Sequence, residues 1–149
     1  TCSNQKTTTV AQELQFCTEY CKLMKLRFDE RVSYVCECAE DARDIEIPRL
    51  LIQPFVENAM KHGMDPDGRA VTIWTAACIG HGTLVLTIKN DGIPIDLAAL
   101  RASEHVGITN VENRLRIFHP EARLDIALED GITRFTVYIP MKNEGPQIA

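Results

Sequence analysis

The chain has 149 residues, 45% of them hydrophobic, which is enough for one full core and too little to expect two. A formal net charge of -5 gives no basic surface on average, which argues against nucleic acid as a partner. There is no apolar run long enough to span a bilayer and no signal-peptide pattern, so the sequence reads as cytoplasmic, with no membrane contact of its own.

Residues 1–9 are polar and aperiodic and are expected to be a frayed linker ahead of a domain over 10–141, with a loose polar tail over 142–149. From Val10 to Phe28, the positions Leu14, Cys17, Cys21, Met24 and Phe28 recur at three and four residues, which predicts an amphipathic helix. Arg31 to Cys38 then alternates, with Val32, Tyr34, Cys36 and Cys38 on one side, and reads as a strand. The cysteines Cys2, Cys17, Cys21, Cys36, Cys38 and Cys78 are read as small core residues of a reducing compartment rather than zinc ligands. An acidic loop, Glu40 to Glu46, leads on.

The segment Glu46 to Gly63, EIPRLLIQPFVENAMKHG, is predicted as a single helix with Pro48 in its first turn, a bend at Pro54 and Gly63 as its left-handed stop. Glu57 and Lys61 are four residues apart, as are Asn58 and His62, so four polar groups form two adjacent rows at one helix end. That set suits a hydrated magnesium ion and the phosphates it accompanies, with Asn58 giving a neutral oxygen and Lys61 and His62 facing phosphate. The alternative is a solvated helix end with an ordinary Glu57 to Lys61 pair.

After Gly63 the run MDPDGRA is dense in turn formers and is expected to be a loop. Val71 to Cys78 and Thr83 to Lys89 are strand-like, joined through Gly80-His81-Gly82 as a tight hairpin in which His81 is a turn residue. Asn90-Asp91-Gly92-Ile93-Pro94 forms a loop, and a short helix over Asp96 to Ala102 and a loop at Ser103 to His105 follow. Gly107 to Phe118 returns to helical spacing with Ile108, Val111, Leu115 and Phe118 inward, and Pro120 stops it. Arg123 to Glu129 turns Leu124, Ile126 and Leu128 to the core, Asp130-Gly131 makes a hairpin, and Thr133 to Ile139 repeats the pattern with Phe135, Val137 and Ile139. Five strands and three substantial helices predict an α/β sandwich, a five-stranded mixed sheet with its helices on one face.

The order ENxxKHG on a helix, NDG after a strand, and GITNVENRL opening a helix resembles the N box and glycine boxes of the GHKL ATPase superfamily. The segments LQPFVENAMKHG and GITNVENRL are similar to the catalytic domain of LytS-type sensor histidine kinases, and the likeness runs over nearly the whole chain. The resemblance implies a Bergerat-type fold that binds ATP with Mg2+. It places the magnesium ligand on Asn58, the neighbouring acid on Glu57 and phosphate-side groups on Lys61 and His62, with Glu57, Asn58 and Lys61 as the catalytic set. It places adenine recognition on Asn90, Asp91 and Gly92, and the second glycine box on Gly107, Ile108 and Asn110, where a helix N-terminus offers free amides to an anion.

This sequence departs from the pattern where DNGxG reads Asn90-Asp91-Gly92-Ile93-Pro94, and where His105 stands at a common glycine position. Only 14 residues separate Gly92 from Gly107, so a lid over the nucleotide would be short. The implied activity is transfer of the ATP γ-phosphoryl to a histidine on an upstream dimerisation and phosphoacceptor segment, with a response regulator downstream. His62, His81, His105 and His119 do not resemble that acceptor, so the chain is expected to be the cytoplasmic catalytic domain of a membrane-anchored sensor. Two other readings are a nucleotide- or partner-binding module without turnover and a protein-serine kinase of the anti-sigma type.

Overall fold

The computed structural model describes residues 6–28, 31–63, 69–94 and 106–141. The elements run β1 (Thr7–Thr9), α1 (Val10–Phe28), β2 (Val32–Cys38), a single 3-10 turn (Glu40–Ala42), β3 (Glu46–Pro48), α2 (Gln53–Gly63), β4 (Val71–Gly80), β5 (Thr83–Asn90), α3 (Val106–Phe118), β6 (Arg123–Glu129) and β7 (Ile132–Pro140). The expectations for residues 1–5, the loop 64–68, the short helix and loop at 96–105 and the tail 142–149 fall outside the described residues.

The main sheet has five strands in the order β2-β4-β5-β7-β6 and is mixed, as the sequence pattern predicts. β2 lies parallel to β4, and the remaining neighbours are antiparallel. A parallel pair needs a long crossover, and the one between β2 and β4 carries α2 onto the sheet. Strand alternation decides which face the helices cover. Val71, Ile73, Thr75 and Ala77 of β4 and Leu84, Leu86, Ile88 and Asn90 of β5 are buried, and their register puts them on one face. That face meets Val10, Leu14, Cys17 and Cys21 of α1, Phe55, Val56, Ala59 and Met60 of α2, and Val111 and Leu115 of α3 in one core. Phe55 and Phe135 are fully buried at its centre, their ring centroids 4.5 Å apart.

Both hairpins follow the local turn rule. His81 and Gly82 have φ of 52° and 72°, and Asp130 and Gly131 have φ of 52° and 77°. Two consecutive left-handed residues match the twist of the flanking strands, so His81 is a turn residue, as expected.

Several expectations change, and Phe118 and Leu128, expected to face inward near the ends of α3 and β6, are exposed. Thr7–Thr9 are not frayed: they pair antiparallel with β3, Thr8 opposite Ile47. Glu46–Pro48 is therefore strand rather than the first helical turn, and α2 begins only at Gln53. Pro54 consequently sits in the first turn of α2, where its missing N–H costs nothing, and the predicted bend has no cause. Cys17 and Cys21 are buried, but Cys36, on the edge strand β2, and Cys78, in the outward phase of β4, are exposed rather than core residues.

Candidate functional site

The site begins with how α2 is launched. Residues 49–52 turn between β3 and α2, with Leu50 in the left-handed region at φ 58°, a conformation that costs a side-chain-bearing residue about 1 kcal/mol. Three backbone N–H groups of this turn converge on one carboxylate. Leu50 donates to Glu13 Oε1 at 3.2 Å, and Ile52 and Gln53 donate to Glu13 Oε2 at 3.0 Å each. Glu13 belongs to α1 and is 1% exposed. It therefore caps α2 across 39 and 40 residues of sequence, and its negative charge lies at the positive end of that helix. From the other side Arg114 of α3 donates from Nη1 to the Leu50 carbonyl at 3.2 Å and from Nη2 to the Arg49 carbonyl.

Beyond this turn α2 buries Phe55, Val56, Ala59 and Met60 and leaves Glu57 and Asn58 half-buried and Lys61 exposed. The Glu57 carboxylate accepts from Gln53 Nε2 at 2.9 Å, one turn earlier. The i,i+4 ion pair with Lys61, which the alternative reading called for, is not made; Glu57 is engaged by Gln53 instead. The amide of Asn58 and the ammonium of Lys61 take part in no hydrogen bond with the described residues. The oxygen and the charge that a hydrated cation and a phosphate need are thus left available. His62 lies in the last turn of α2, and its side chain lies outside the described part of the structure.

The second half of the site stands at the end of β5. Asn90 is 5% exposed, and its Oδ1 accepts from the Gly92 N–H at 3.1 Å, which folds the chain back into an Asx turn. Asp91 faces elsewhere. Its Oδ1 accepts from Thr72 N at 2.7 Å and its own N–H donates to the Thr72 carbonyl at 3.3 Å, so it fastens the loop to the start of β4. Of the two candidates for an inward polar group, Asn90 is the buried one. Its register partner on β7 is Thr133, 2% exposed, and the two place adjacent buried polar groups at one end of an otherwise apolar face. Gly92 is buried and Ile93 exposed.

Gly107 and Ile108 lie in the first turn of α3, and Asn110 is exposed one turn on. α2 packs across β4 and β5, and α3 packs against β3 and β6. The Arg114 contacts make the Arg49–Leu50 turn the place where α2 and α3 are joined.

Sequence reading missed Glu13, Arg114 and Thr133. Glu13 lies in phase with Val10, Leu14 and Cys17, an acid inside an apolar stripe, and Thr133 lies in phase with Phe135, Val137 and Ile139. A polar residue at an inward position was the available signal in both. Arg114 carried none, since an arginine on a helix surface is ordinary.

Comparison with known proteins shows what the chain is similar to. The chain is 26% identical over 91% of its length to the sensor histidine kinase YesM of Bacillus subtilis, covering 24% of that protein. It is also 26% identical over 93% of its length to the sensor protein kinase HptS of Staphylococcus aureus, covering 29% of it. Among solved structures, the catalytic domain of the histidine kinase ThkA superimposes with a TM-score of 0.69 at 12% identity, covering 90% of this chain and 93% of that one. The chain has the catalytic-domain fold of the sensor histidine kinases. The chain spans about a quarter of the length of the curated relatives it matches. ThkA in complex with its response regulator TrrA also matches it, with a TM-score of 0.64 at 12% identity over 93% of this chain and 42% of that one. No family model matches the chain. No described helix is long and apolar enough to cross a membrane.

Proposed function

We propose that the chain is the ATP-binding catalytic domain of a cytoplasmic-facing sensor histidine kinase, moving the γ-phosphoryl of ATP to a histidine on an upstream segment and, through it, to a response regulator. One observation carries this reading. In a chain of this fold, α2 holds the side-chain amide of Asn58, which has no hydrogen-bond partner among the described residues, and the exposed Lys61 while packing across β5, the strand that ends in buried Asn90.

Magnesium, when bound with the nucleotide, neutralises charge on the phosphates. Asn58 would hold it through its amide oxygen, and Lys61 and His62 would face the phosphates, with Gly107, Ile108 and Asn110 offering the amides of the α3 N-terminus. Glu57, already fixed by Gln53, would accept a hydrogen bond from the incoming histidine and so orient it. Asn90 and Thr133 would meet the adenine edge. The amide can accept from the exocyclic amine and donate to a ring nitrogen. Asp91 and Gly92 would shape that loop rather than touch the base.

A second reading, nucleotide binding without turnover, is favoured by the Asn90 Oδ1, which is already taken by the Gly92 N–H and lacks the charge of an aspartate. Incubating the chain with Mg-ATP and a purified upstream helical segment separates the readings. Acid-labile phosphohistidine is expected, and Asn58→Ala is expected to abolish both transfer and the magnesium-dependent part of ATP binding with the fold intact. Tight binding with no transfer would establish the second reading. Acid-stable phosphoserine on a partner, or magnesium-dependent affinity unchanged in Asn58→Ala, would overturn the first.

A further inference from the structure

A helix normally finds partners for its first N–H groups in its own N-cap residue. α1 does so: Thr9 Oγ1 accepts from Gln12 N at 3.1 Å and Gln12 Oε1 accepts from Thr9 N at 3.3 Å, a reciprocal box within four residues. α2 does not. Its entry turn contains a left-handed leucine, and the turn's donors go to Glu13 of another helix. The direction of α2, and so the place to which it brings Asn58 and Lys61, is not set by its own sequence.

We infer that Glu13 is a positioning residue for the nucleotide site. Its buried carboxylate fixes the Leu50–Gln53 turn from which α2 is aimed, and Arg114 ties α3 to the same turn, so that the two phosphate-facing helices keep one register. This rests on the nucleotide reading of the site. The chemistry of the pair explains the residue types. Three donors need two acceptor oxygens, which a carboxylate has and an amide or hydroxyl lacks, and two adjacent carbonyls suit the planar fork of a guanidinium. Neither residue touches nucleotide in this assignment; each acts through the turn.

The test is calorimetric titration of the chain with a non-hydrolysable ATP analogue, with and without Mg2+. Glu13→Gln removes one acceptor oxygen and sets an NH2 against an N–H, and it is expected to weaken magnesium-dependent binding about tenfold. Arg114→Ala, at a helix surface and safe for folding, is expected to weaken it about threefold, with Arg114→Lys recovering only part. The double variant should lose less than the product of the two, because both act on one turn. Cys21→Ala, a destabilising change on α1 away from the turn, is the control and should bind as the unmodified chain does. If Glu13→Gln and Arg114→Ala bind normally, or if Cys21→Ala loses as much as Glu13→Gln, this inference is overturned while the nucleotide reading stands. If the unmodified chain binds no nucleotide, both fall. Should Glu13→Gln fail to fold, the Arg114 variants and their KM-against-kcat split decide the matter. A positioning role predicts a raised KM for ATP with the melting temperature unchanged.

Discussion

The β6–β7 hairpin and the segment Glu46–Gly63 are both among the strongest patterns in the sequence, yet only the hairpin folds as its own residues dictate. In the hairpin, alternation on both strands and Asp130-Gly131 between them specify turn, register and inward face within a few residues. Glu46–Gly63 reads as one helix, and its first third is instead strand and turn. β1 claims Glu46–Pro48 by pairing, Glu13 claims the N–H groups of residues 50, 52 and 53, and Arg114 claims the carbonyls of 49 and 50. The lesson is one of range. A pattern predicts well where its partners are near in sequence, and poorly where distant groups offer the same backbone atoms a better arrangement.

The largest expected effect comes where the two regions meet. Phe55→Ala removes a fully buried ring stacked on Phe135 of β7 and should destabilise the domain by roughly 3 to 5 kcal/mol, measured by denaturant unfolding. A normal unfolding midpoint would mean that the apolar face of α2 is wrongly assigned. Next in size is Glu13→Ala, which leaves three turn N–H groups without their acceptor and should cost about 3 kcal/mol. A loss under about 1 kcal/mol would show that the turn holds its shape unaided, which would place Glu46–Gly63 in the same class as the hairpin. The smallest is Gly131→Ala. No atom stands within 4 Å of the added Cβ, so the cost is that of a left-handed alanine at φ 77°, about 1 kcal/mol. Hydrogen exchange should locate this loss in the β6–β7 hairpin and leave the α2 amides protected. Exchange rising equally in α2 would show that the two regions unfold as one unit.

The cysteines separate by the same logic of cover. Burial raises the Cys21 thiol to about 12 and Cys17 further, the latter also through the Glu13 carboxylate nearby.

Sequence alone determined the five strands of the mixed sheet, the presence of three helices, the hairpin turns and the order of the motifs. It also supplied Asn58, Lys61 and Asn90 as candidate site residues, because periodicity, turn chemistry and a short motif are all local. Tertiary structure alone decided where α2 begins, that Pro54 opens it rather than bends it, that Asn90 and not Asp91 is the buried group, and that Thr133 stands beside it. Each of these turns on backbone donors and acceptors that could be satisfied in more than one way. Between the alternatives, each choice rests on a partner distant in sequence, such as Glu13, Thr72 or Arg114, delivered only once the helices have closed over the sheet.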